Sequence, residues 1–120
     1  MEENIINLGN YRNLQTDGTP GVVIVGRENG IEARKHSKID KLIEKYDKIM
    51  IFIPGDICSI NASFLEQFIN NVFRKLGKQK FNEKIEFVSD NDKYDYKKDL
   101  ERSIERIERT MMAEDMFSLQ

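Results

Sequence analysis

The residues that could support catalysis or metal binding are few and poorly spaced. The chain has one histidine, His36, and one cysteine, Cys58. A Ser-His-Asp triad needs a histidine positioned beside a nucleophile, and a zinc site needs several nitrogen or sulfur ligands, but no second ligand is spaced for either. We therefore expect His36 on a helix surface and Cys58 as a small buried apolar side chain. A compact enzyme that uses Asp56 or Cys58 is the alternative.

Three aspartates follow predicted strands, namely Asp56, Asp90 and Asp92. This placement invites comparison with phosphorylated receiver domains, which carry an acidic pair after their first strand. Here the first compact β-branched run, at 22–25, is followed by Gly26 and Arg27. Turn and loop-capping roles account better for the aspartates. The sequence therefore predicts a non-enzymatic protein with no cofactor and no metal.

Composition narrows the class of protein further. The chain has 120 residues, with 19 basic and 21 acidic side chains and a net charge of −2, so it lacks the basic field that attracts nucleic acid or an anionic membrane. No apolar run approaches the roughly 18 residues of a membrane span. An acidic N-terminus and a single cysteine favour a cytoplasmic protein without disulfides. We expect one domain over 1–120, with a flexible tail at 113–120.

A strand, a polar loop and a helix form the most informative stretch of the chain. The uninterrupted apolar run at 48–53 predicts a central strand covered on both faces. Ser63 and Glu66 have the spacing of a capping box, so Ser63 is predicted to cap a helix that ends at Gly77. Seven apolar residues between these positions recur at helical spacing, which indicates a helix packed against a sheet.

The remaining elements complete an α/β fold. Apolar runs at 4–8 and 22–25 flank Asp17 and Gly18, which favours an N-terminal hairpin. Apolar residues at helical spacing predict helices at 39–46 and 100–111, and a further strand is predicted between them in sequence, at 84–88. The predicted order is β-β-α-β-α-β-α, a mixed sheet of about four strands with helices packed on it.

Three local patterns resemble one family. They are the segment at 26–34, which begins a helix; the strand at 49–53 followed by Ile60 to Glu66; and Phe81 with the strand at 84–88. Together they resemble the STAS-like family of small bacterial proteins, which is related to anti-sigma-factor antagonists. The resemblance implies a regulatory protein that acts by protein–protein interaction in partner-switching signalling. A GHKL-type ATPase or kinase is the implied partner class.

In partner-switching relatives the loop before this helix holds a phosphorylated serine. The matching position here is Ala62, which has no hydroxyl, so Ser59 or Ser63 would have to serve as the acceptor. We expect the partner-binding surface to comprise the 54–66 loop and nearby basic residues. Its predicted members are Arg27, Arg34, Asp56, Ser59, Asn61 and Ser63.

Two alternative functions and a possible homodimer are also compatible with the sequence. The glycine-flanked segment at 26–30, with its neighbouring basic residues, is compatible with a small-ligand or nucleotide-binding sensor. A small inhibitor that acts by surface binding is the other function. The run containing Met111, Met112, Met116 and Phe117 could cover the core or form a homodimer contact.

Overall fold

The structure is a computed structural model that describes residues 4–90 and 94–118. About 61% of the described residues are helical, so helices supply most of the packing around small sheets. The α/β class predicted from the sequence is confirmed. In chain order the elements are β1 (Ile5–Asn7), a 3-10 helix (Leu8–Tyr11), β2 (Val23–Ile24), α1 (Arg27–Ser37), α2 (Ile39–Lys45), β3 (Ile49–Ile53), β4 (Ser59–Ile60), α3 (Ala62–Lys84), β5 (Ile85–Ser89) and α4 (Tyr96–Ser118).

Two parallel sheets replace the single mixed sheet that the sequence predicted. One has three strands in the order β1-β3-β5, and the other pairs β2 with β4. Every pair among the described strands is parallel, so the prediction of a mixed sheet is wrong. The predicted element order also omits β4, because two residues inside a polar loop carry no alternating pattern that would reveal a strand.

The predicted N-terminal hairpin is also wrong. β1 lies parallel to β3, with Ile6 opposite Ile51, and β2 lies parallel to β4. The Asp17–Gly18 turn instead closes a small loop of its own, in which the Asp17 carboxylate accepts hydrogen bonds from the amide and hydroxyl of Thr19. A connection of this length does not fix strand pairing, so each β-branched run pairs where it can be buried.

Two residues with positive φ divide the helical segments. Lys38, with a φ of 60°, separates α1 from α2. Gly77, with φ and ψ of 80° and 169°, interrupts α3, as its predicted role as a helix-ending residue implies. The chain then becomes helical again as far as Lys84, because Phe81 is buried against Phe73 with their ring centroids 5.4 Å apart.

The core lies around α3, which packs against α1, α2 and α4. Its apolar stripe is buried as predicted, and Phe64 and Phe68 have no exposed surface. β3 is the central strand of its sheet, also as predicted. Its isoleucines at 49, 51 and 53 are fully buried, whereas Met50 and Phe52 on the other face are half-buried.

The end of α4 extends along α3. Arg74 of α3 forms a bidentate ion pair with Glu114, at 2.7 and 3.1 Å. Met111 packs against the core, as one of the two alternatives predicted. Met112, Met116 and Phe117 are 65%, 67% and 75% exposed and do not cover it, and the homodimer stays a prediction. Residues 113–118 are helical; the flexibility predicted for the tail is untested, and 119–120 lie outside the described residues.

None of the described helices combines the length and the apolar character needed to cross a bilayer.

Candidate functional site

The carboxyl ends of β2 and β4 lie side by side, and each leads into a helix. β2 continues through Gly26, whose φ is 110°, into α1, and β4 continues through Asn61 into α3. Such an edge is where parallel α/β folds present loops and helix N-termini to ligands. We call residues 54–65, which comprise the β3–β4 loop, β4 and the first turn of α3, the loop surface.

Asn61 is the cap of α3, so the capping role predicted for Ser63 is wrong. The Asn61 side-chain oxygen accepts a hydrogen bond from the amide of Phe64 at 3.0 Å. The backbone amide of Asn61 is bound to the Ile24 carbonyl at 3.0 Å, which keeps Asn61 extended and places the first helical residue at Ala62. Ser63 therefore lies inside the first turn.

The Ser63 hydroxyl instead contacts another helix. It accepts a hydrogen bond from a guanidinium nitrogen of Arg106 on α4, at 3.2 Å. Ser63 is half-buried and Arg106 is exposed. This contact brings positive charge to the N-terminal end of α3, the end at which negative charge is favoured.

Arg12, whose side chain is mostly buried, holds the β3–β4 loop in place. Arg12 donates to both carboxylate oxygens of Asp56, at 2.6 and 3.0 Å. It also donates to the carbonyls of Gly9 and Gly21, both at 3.1 Å. The hydrogen bond from Arg12 lowers the pKa of Asp56, so the carboxylate that the sequence assigned to a partner already has an internal cation.

Tyr94 fixes the end of the same loop. Its hydroxyl lies 2.9 Å from the amide of Ile60 and 3.1 Å from the Ile60 carbonyl. It also lies 2.9 Å from the carboxylate of Asp99 on α4. Burial is the largest cause that raises the pKa of Tyr94. One phenol thus joins β4 to α4.

The two predicted arginines of α1 lie against α3. Arg34 donates to the Gln67 carbonyl at 2.8 Å. Arg27 lies 3.2 Å from the Gln67 side-chain oxygen when that amide is oriented to accept. Between them Gly30 is buried, and a Cβ there would lie 2.4 Å from the Phe64 carbonyl oxygen. The segment at 26–30 is therefore the cap and first turn of a closely packed helix.

Exposed side chains at the loop surface include Cys58 and Asn61. The prediction of a buried Cys58 is wrong, because the neighbouring Ile57 takes the buried position and the Cys58 side chain is exposed. The amide of Cys58, just before β4, donates to the Val22 carbonyl. Val22, which directly precedes the paired strand β2, and Val23 within it are 43% and 36% exposed. An apolar strip therefore lies directly beside the loop.

Four predicted site residues lie within the loop surface: Asp56, Ser59, Asn61 and Ser63. Ser59 is half-buried in β4, opposite Val23. The other two predicted residues, Arg27 and Arg34, hold α1 on α3. Sequence reasoning missed Arg12 and Tyr94, whose partners are 44 and 34 residues away, because nothing in their local patterns predicts these contacts.

His36 is exposed on α1, as predicted, and its Nδ1 lies 2.9 Å from the Tyr11 hydroxyl. Within residues 4–90 and 94–118, no group of three or more histidine, cysteine, aspartate or glutamate side chains is arranged to hold a metal ion. The arrangement at the loop surface offers hydrogen-bond donors and acceptors, one thiol and an adjoining apolar strip.

Comparison with known proteins adds no identity. No family model, curated protein or solved structure matches the chain. The resemblance to the STAS-like family therefore stays a prediction from the residues that carry it.

Proposed function

We propose that this chain is a non-enzymatic, STAS-like regulatory protein that binds another protein through the loop surface. The apolar strip formed by Val22 and Val23 would extend the contact. Exposed apolar side chains beside polar groups are typical of protein-binding sites. The sensor and inhibitor functions stay predictions. The close packing of Gly30 on α3 leaves little room for a ligand at that residue, which disfavours the sensor.

The observation that carries the proposal is that the exposed loop is held at both ends. Arg12 ties Asp56 to two backbone carbonyls, and Tyr94 holds Ile60. Cys58 and Asn61 lie between or next to these anchors and are exposed. A loop that is ordered before binding loses less conformational entropy on association, which favours affinity.

The family resemblance supplies the partner class, a GHKL-type ATPase or kinase. A phosphate on Ser63 would lie in the first turn of α3 and within reach of Arg106, whose guanidinium is 3.2 Å from the hydroxyl. Both the helix N-terminus and the arginine favour added negative charge there. Ser59 is the second proposed acceptor; it is half-buried like Ser63 but lies on β4, away from the first turn of α3.

The unique, exposed Cys58 allows a direct test. A maleimide photo-crosslinker is attached to Cys58, and the labelled protein is irradiated in lysate of the native host. The matched control carries Cys58→Ser with Lys98→Cys, which moves the label to an exposed position on α4. We expect one protein to be crosslinked from position 58 and not from position 98, and mass spectrometry then identifies its class.

A second variant separates binding from labelling. Val22→Asp places a charge in the apolar strip at a side chain that is 43% exposed. It should reduce the crosslink without changing the thermal unfolding midpoint. The proposal fails if position 58 yields no crosslinked protein, if both label positions yield the same one, or if Val22→Asp leaves the yield unchanged.

A further inference from the structure

The edges of the two sheets differ in how their backbone groups are satisfied. On β5, the outer edge is met by the Tyr96 hydroxyl, which donates to the Phe87 carbonyl at 3.2 Å. On β4, the Tyr94 hydroxyl contacts both backbone polar groups of Ile60. A single phenol in each case closes part of an edge that would otherwise be open to another strand.

The outer edge of β2 is closed by the chain segment before it. The amide of Asn13 donates to the Val23 carbonyl at 3.0 Å, and the Asn13 side-chain oxygen accepts from the Val25 amide at 2.7 Å. Three of the four edge strands in the described sheets are thus covered by residues outside the sheets.

β1 is different. The Met50 amide donates to the Asn4 carbonyl at 2.9 Å. This bond determines which residues of β1 direct their backbone amide and carbonyl groups toward β3. Because successive residues of a parallel strand direct their backbone groups to opposite sides, Ile5 and Asn7 turn their amides away from β3. Within residues 4–90 and 94–118, no hydrogen bond reaches the outward amide or carbonyl of Ile5.

A groove of about 200 Å³ runs along this open edge. Ile5 and Asn7 line one side, and the opposite side is formed by residues of the 3-10 helix and of the α1–α2 junction. They include Asn10, Tyr11, His36, Ser37 and Lys38. Among the described residues that line the groove, Lys38 alone carries a full charge and none is acidic. The groove therefore favours a guest that carries a carboxylate.

We propose that β1 accepts an extended, acidic segment of a partner polypeptide as an additional strand of the three-stranded sheet. Main-chain hydrogen bonds to Ile5 and to the Asn7 amide would supply affinity, and Lys38 would select an aspartate or glutamate side chain. A second copy fits less well, because its own β1, Ile5–Asn7, carries no carboxylate to meet Lys38. This edge is separate from the loop surface and does not depend on the proposed function.

The test uses the full-length chain as bait for a phage-displayed library of random heptapeptides. Ile5→Pro removes one outward amide and leaves the bonds between β1 and β3 in place, since proline is tolerated on an edge. We expect acidic peptides to be enriched and to bind Ile5→Pro and Lys38→Glu about tenfold more weakly, a change of about 1.4 kcal/mol. Lys98→Glu, an exposed change on α4, is the matched control and should bind as wild type.

Hydrogen exchange keeps the test valid if Ile5→Pro does not fold. An enriched peptide should slow exchange of the Ile5 and Asn7 amides in the wild-type protein, and protection confined to other regions overturns the proposal. So does a library that yields no binding peptide, or a peptide that binds a folded Ile5→Pro as tightly as wild type. Light scattering that shows a wild-type dimer and an Ile5→Pro monomer would assign the edge to a second copy, which also overturns it.

Discussion

The cap of α3 gives the sharpest prediction, because sequence and structure name different residues. Asn61→Ala removes the oxygen that accepts from the Phe64 amide at 3.0 Å, and loss of such a cap costs about 0.5–2 kcal/mol. For a domain of this size about 1 kcal/mol corresponds to a fall of roughly 3–6 °C in the unfolding midpoint. Ser63→Ala removes only a contact to an exposed arginine and improves helix propensity, so its cost should be near zero.

The assay is urea unfolding followed by circular dichroism, with thermal unfolding as a second measurement. Asn61→Asp is the matched control, since aspartate keeps a capping oxygen and adds negative charge at the helix N-terminus. It should be as stable as wild type or more stable. The reasoning is refuted if Ser63→Ala destabilises the protein more than Asn61→Ala, or if Asn61→Asp is as unstable as Asn61→Ala.

Three further changes test contacts that hold the site. Tyr94→Phe leaves two backbone groups of β4 without their partner and should cost about 1–3 kcal/mol in urea unfolding. Burial raises the pKa of Tyr94, so the contribution of the phenol to folding stability is present below the ordinary tyrosine pKa of about 10 and is lost as pH rises above it. Tyr94→Phe should therefore lose less stability in alkali than wild type, and equal losses would contradict this. The hydrogen bond from Arg12 lowers the pKa of Asp56, so the contribution of the Asp56 carboxylate to folding stability is present above the ordinary aspartate pKa of about 3.9 and is lost as pH falls. The urea midpoint of Asp56→Asn should therefore fall less in acid than that of wild type. Gly30→Ala should destabilise by about 1–3 kcal/mol, because its Cβ would lie 2.4 Å from the Phe64 carbonyl oxygen; a gain in stability, as helix propensity alone implies, would refute the close packing.

The sequence predicted the elements whose burial is periodic. The helical spacing of apolar residues in α3 and the uninterrupted apolar run of β3 arise from contacts with one core, so each can be recognised within a few residues. Phe68 and Phe73 are buried as expected. Strand pairing could not be predicted in the same way, because β1 pairs with a strand more than forty residues away, as the Ile6–Ile51 register shows.

The error at the helix cap has a physical cause. Asn61 and Ser63 are both good caps, and only Ser63 has a glutamate at the capping-box distance. The choice is made by the pairing of β2 with β4, since the Asn61 amide is bound to the Ile24 carbonyl and extended backbone persists to residue 61. A local pattern cannot contain that information, because the deciding partner lies outside it.

Internal contacts limit which residues of the loop surface can be mutated to test binding. Asp56 and Asn61 each have an internal structural contact, to Arg12 and to the Phe64 amide, so a substitution at either changes folding and binding together. Cys58 and Val22 have exposed side chains that none of these anchoring contacts uses. A loss of binding at those two positions, without a loss of stability, is therefore the result that assigns a partner to the surface.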